Sequence, residues 1–137
     1  MFAGITVNWW AVIVGAIVCM VTGMIWYNPK VFGMMWMKAN GLTMDDAKKG
    51  DMTKMYGLQF IGALVMVWVL AMFVGYVNPL TTQDGFMLAL WLWLGFMVAG
   101  TVGLYIFPPK PFNLFFMDSI YRLINILLVA WLLMSWK

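Results

Sequence analysis

Histidine is absent from this chain of 137 residues, and cysteine occurs once. Without an imidazole there is no ready ligand for zinc or haem and no side chain that titrates near neutral pH. The single thiol, Cys19, excludes an internal disulfide. Charge is also scarce, with eight lysine and arginine residues against five acidic ones, 9% of the chain. No basic stripe exists to follow a phosphate backbone, so no nucleic-acid partner is expected. The first apolar run lacks a positive leading segment and a small-residue cleavage site, which predicts a retained span and not a signal peptide. No nucleophile–base pair is apparent, and no glycine opens a helix after a strand as a phosphate loop requires. Enzymatic activity, a resident cofactor and a metal site are therefore not expected.

What fills the space is apolar. Hydrophobic residues make up 65% of the chain, including 9 Trp and 15 Met, and mean hydropathy is +0.92. That lies far outside the soluble range. Three uncharged runs, 2–29, 55–83 and 85–109, each exceed the ~20 residues needed to cross a bilayer. The expectation is an all-α integral membrane four-helix bundle forming one membrane domain over 1–137. Its spans fall at about 8–26, 55–76, 85–107 and 112–136.

The organising stretch follows span one. Asn28 is a good N-cap and Pro29 suits the first helical position, while Asn40-Gly41 is a stop signal. A helix over about 29–39 would be only ~16 Å long, too short to cross a bilayer. Its residues Trp26, Tyr27, Pro29, Phe32 and Trp36 predict an interfacial elbow on the membrane surface. Beyond it, Thr43-Met44-Asp45-Asp46 resembles a capped turn, and Gly50-Asp51 is placed to cap span two.

Two stripes of small residues recur every four positions. Ala11, Gly15, Cys19 and Gly23 lie on span one, and Gly95, Ala99 and Gly103 on span three. Such stripes let helices approach closely in lipid, and spans one and three are expected to meet through them. The stripes also align at an offset of 80 residues, with Pro29-Lys30 matching Pro109-Lys110, which suggests a parallel internal repeat. Lys30, Lys38, Lys48, Lys49, Lys54 and Lys110 fall on one side of the membrane and Lys137 on the other. The positive-inside rule then puts loop 28–54 in the cytoplasm and both termini outside.

Asp118 and Arg122 are the only charges expected within a span. Their spacing of four, acid first, places them on one helix face, and Asn125 extends it. An ionisable residue inside a bilayer is a functional-site hypothesis by default; the alternative is a self-neutralising pair that glues helices together. Met20 and Met24 beside Cys19 offer soft ligands of the kind that suit Cu(I), but methionines at helical spacing usually fill gaps in a core.

Several segments resemble the domain-of-unknown-function family 1761. They are Trp26-Tyr27-Asn28-Pro29, Phe32-Gly33, Trp36-Met37-Lys38, Gly41-Leu42, Met52…Tyr56…Gln59-Phe60 and Asp118-Ser119-Ile120-Tyr121-Arg122-Leu123. The resemblance is looser in the last helix, where the family often has small or uncharged residues in place of Asp118 or Arg122. It implies a small bacterial four-span protein of the cytoplasmic (inner) membrane and carries no activity. The lipid bilayer is the partner expected from composition. The wealth of Trp and small-residue faces points further, to a homo-oligomer or an accessory subunit of a larger membrane complex. A small homo-oligomeric channel or transporter using Asp118, Arg122 and Asn125 is the alternative.

Overall fold

The structure, a computed structural model, describes residues 4–41, 52–107 and 109–136. Four helices are long and apolar enough to cross a membrane, and no strand occurs among the described residues. Helix α1 (Trp9–Trp26) is span one. A π-helical turn (Pro29–Gly33) and the short helix α2 (Met34–Ala39) form the elbow. Helix α3 (Met52–Val77) holds span two, α4 (Thr82–Ile106) is span three, and α5 (Phe112–Ser135) is span four.

Local chemistry sets the ends. The Asn8 side chain accepts from the N–H groups of Trp10 and Ala11 at 3.2 and 3.3 Å, relieving two of the orphan donors of a helix start. Its amide also donates to the Trp136 carbonyl at 3.3 Å, tying the start of span one to the end of span four. Span three begins earlier than expected, at Thr82, because Thr81 and Asp84 form a reciprocal capping box. Asn28 caps the elbow by accepting from Lys30 N–H at 2.9 Å. The elbow is not one α-helix, however. The Gly33 N–H reaches the Asn28 carbonyl at 2.9 Å, a five-residue step, before α2 takes over. Gly41, with φ +68, ends it in the left-handed region that favours glycine. The Thr43–Asp46 turn and the Gly50-Asp51 cap lie outside the described residues.

Span four is the centre of the bundle, with 44% of its apolar segment buried against 6% for span three. Span one packs on spans two and four, and span three packs mainly on span four. The fully buried residues Ala11, Ala16, Val67, Val129 and Ala130 form the seam. The pairing of spans one and three is corrected by this arrangement. A Cβ on Gly15 would meet Val67 Cγ1 at 2.8 Å, and one on Gly23 would meet Tyr121 Oη at 2.7 Å, so the first stripe receives spans two and four. Cys19 is buried between them. Gly95, Ala99 and Gly103 are exposed, and a Cβ on Gly95 or Gly103 would meet nothing within 4 Å among the described residues.

Span three packs mainly on span four, and its small residues lie on the side turned away from that contact, although residues Trp93–Val98 are π-helical. The two stripes that the repeat relation aligns therefore meet different surroundings.

Candidate functional site

Span four carries two polar ladders, and Asp118 is the rung they share. Tyr27 Oη donates to one Asp118 oxygen and Tyr105 Oη to the other, both at 2.6 Å. Further along, Arg122 Nη1 donates to Thr101 Oγ1 at 3.0 Å, and the Thr101 hydroxyl donates to the Met97 carbonyl. On the span-one side, the Thr22 hydroxyl meets the Asn125 side chain. Tyr121 Oη donates to the Cys19 carbonyl at 3.3 Å. Because spans one and three both run antiparallel to span four, rising numbers on one side meet falling numbers on the other. Tyr105 and Thr101 therefore address Asp118 and Arg122 in turn.

These bonds have an electrostatic logic. Hydrocarbon offers no water to an orphan polar group, so each must find a protein partner. The two phenol–Asp118 lengths of 2.6 Å are those of charge-assisted O–H···O contacts. The Tyr27 phenol, just past the end of span one, is held above its ordinary titration range by burial and then by its bond to Asp118. It remains a donor throughout the physiological range. Asp118 and Asn125 are buried; Asp118 accepts from the two phenols, whereas Arg122 donates to Thr101. Arg122 lies about 15 Å along the helix from Phe112, within the apolar segment Phe112–Ser135.

The elbow docks on this face through aromatic rings. Trp26 packs on Phe32 at 4.4 Å between centroids, Tyr27 meets Tyr121 edge-on at 5.0 Å, and Trp36 meets Tyr27 at 6.0 Å. Edge-to-face pairs of this kind contribute about 0.5–1.5 kcal/mol beyond area burial. Pro29 supplies the turn that folds these rings back onto span four.

The elbow and spans one, two and four together line an open cavity of about 700 Å³. Asp118, Arg122, Tyr121 and Gln59 give it a polar wall, and Cys19, Met20 and Met24 a soft one. Its size falls within the 300–1,000 Å³ range of small-molecule sites. Asn125 lies outside it, on a second cavity of about 260 Å³ that Arg122 also lines.

Sequence reading found Asp118, Arg122, Asn125 and the elbow aromatics, but missed Thr101 and Tyr105, and it left Thr22 and Gln59 without a role. A signal was available. Thr101 and Tyr105 are spaced by four, as Asp118 and Arg122 are, and all four belong to adjacent antiparallel spans.

No curated protein and no solved structure matches the chain. A family model matches residues 10–134, nearly the whole length, including the elbow and both ladders. The chain belongs to the family described as protein of unknown function (DUF1761).

Proposed function

We propose that this is a binding protein of the membrane, a small carrier or channel and not an enzyme, which takes a polar guest against the Asp118–Arg122 face. One observation carries the reading. Asp118 and Arg122 are not sealed between helices but form part of the wall of the 700 Å³ cavity. Had the pair served only to join helices, its remaining donors and acceptors would have been buried against protein. The lysine distribution supports an orientation with the elbow in the cytoplasm and both termini outside.

A cysteine placed at Gln59, in a Cys19→Ala background, tests access and orientation together. A membrane-impermeant thiol reagent applied to inverted vesicles is expected to modify Gln59→Cys and Lys38→Cys, but not Thr82→Cys or the lipid-facing Ile61→Cys. Intact cells should show Thr82→Cys alone. If Gln59→Cys reacts no faster than Ile61→Cys, the cavity is closed to water and the proposal falls.

A second reading, self-association or service as an accessory subunit, is favoured by span three. Only 6% of its apolar segment is buried, and Gly95, Ala99 and Gly103 lie open. Close approach of a second copy would cover that face. Oxidising Ala99→Cys in the Cys19→Ala background should give a covalent dimer in membranes, with much less from Val65→Cys on span two. Equal yields from the two positions would reject it.

A further inference from the structure

The polar cavity does not end at Arg122. Cys19, Gln59, Tyr121 and Arg122 line it and also line the 260 Å³ space between spans two, three and four. Met66, Phe96 and Met97 line that space in turn, together with an apolar groove of about 360 Å³ between spans two and three. Walls are thus shared from one space to the next, and polarity falls along the way. The elbow end presents a carboxylate, a guanidinium and phenols, whereas the far end presents Val69, Leu70, Phe73 and Ile126. The groove exists because spans two and three each pack more closely on another helix than on one another.

We infer that this track binds one lipid molecule whose headgroup carries a primary ammonium and a phosphate. The headgroup lies at Asp118 and Arg122, and an acyl chain runs into the groove. This rests on the cavity being the binding site proposed above. Charge selects the headgroup. Asp118 and Arg122 cancel formally, so a guest of one sign would leave one of them uncompensated at low dielectric, where that is costly. A zwitterion answers both. Arg122 spends one of five donors on Thr101, and its planar fork suits phosphate oxygens. Each Asp118 oxygen accepts one phenol, and a carboxylate accepts about four bonds, so an N–H donor still has a place. A quaternary ammonium has no N–H to give. Asp118 and Arg122 stand about one turn, 5.4 Å, apart along the helix, and the two-carbon link of an ethanolamine headgroup sets its ammonium and phosphate comparably far apart. The falling polarity behind the headgroup suits an attached chain and has no use for a free solute.

Native mass spectrometry of the full chain in mild detergent tests this, with phosphatidylethanolamine, phosphatidylcholine, phosphatidylglycerol and free phosphoethanolamine as probes. The ethanolamine lipid is expected to be retained at least fivefold over the other two. Gly62 lines the middle space, and a Cβ there would meet nothing within 4 Å among the described residues, so Gly62→Leu should block the track without disturbing the fold. Its melting temperature should stay within a degree or two of the parent, while retention of the ethanolamine lipid falls at least fivefold. Equal retention of the three lipids, or retention untouched by Gly62→Leu, overturns the inference. If phosphoethanolamine alone binds, and binds both forms equally, the cavity reading stands and the lipid inference fails. If nothing binds and Gln59→Cys is also unreactive, both fail.

Discussion

Replacing Asp118 with asparagine is expected to lower the unfolding free energy of the purified protein by about 3 kcal/mol. Two phenols converge on this carboxylate at 2.6 Å, and hydrogen bonds to a charged acceptor contribute about 1.5–3 kcal/mol each. Asparagine keeps one acceptor oxygen but turns an NH₂ toward the other phenol. It also leaves Arg122 without a compensating anion on its own helix face, and arginine near the middle of a span costs about 2.5–3.5 kcal/mol on insertion scales. The double variant Asp118→Asn with Arg122→Gln should therefore recover much of the loss. Tyr27→Phe and Tyr105→Phe should each cost about 1.5 kcal/mol, the low end of the range for a charged acceptor and near the upper end for interhelical hydrogen bonds in membranes. The exchanged pair, Asp118→Arg with Arg122→Asp, is expected to be the least stable. Charge cancellation alone would tolerate the exchange, but the phenols of Tyr27 and Tyr105 would then face a guanidinium. Denaturant or thermal unfolding in one detergent measures the series. Equal stability of the Asp118→Asn and double variants would show that the two charges are not coupled.

The second large effect is expected at Gly33, where alanine should destabilise the protein by about 3 kcal/mol. Its φ of −61 is ordinary, so conformational freedom is not the reason. Space is. The π-helical turn folds Gly33 back on the end of span one, and a Cβ there would stand 2.2 Å from the Tyr27 carbonyl oxygen and 2.7 Å from the Asn28 carbonyl carbon. Both are backbone atoms that cannot swing aside. Relief requires opening the turn, which breaks the 2.9 Å Gly33–Asn28 hydrogen bond and moves Tyr27 away from Asp118. Gly33→Ala should thus weaken the carboxylate cluster as well, and Tyr27→Phe should cost little more once it is present. Gly95→Ala and Gly103→Ala offer the contrast. Both positions are helical and open, so alanine should be neutral or stabilise by up to about 1 kcal/mol. A Gly33→Ala protein that melts with the parent would refute the packed turn.

Length, hydropathy and caps were enough to read four spans, because crossing hydrocarbon imposes a length and a composition on each segment separately. The elbow was legible for the same reason, since Asn28-Pro29 at one end and Asn40-Gly41 at the other are local signals. Asp118 and Arg122 stood out because ionised groups are rare in lipid. What the chain alone did not settle was which faces meet. The small stripe of span one was sound as a packing surface, yet its neighbours proved to be Val67 and Tyr121 instead of span three. Spacing by four reports that residues share a face but not what that face meets, and Gly95, Ala99 and Gly103 all lie exposed. Asp118 and Arg122 likewise looked like a self-sufficient pair from their spacing. Only the antiparallel approach of two other spans brings Tyr27, Tyr105 and Thr101 to them, since those residues lie 13 to 91 positions away. The cavity is wholly tertiary, being lined by the elbow and by three helices that come together only in the folded chain.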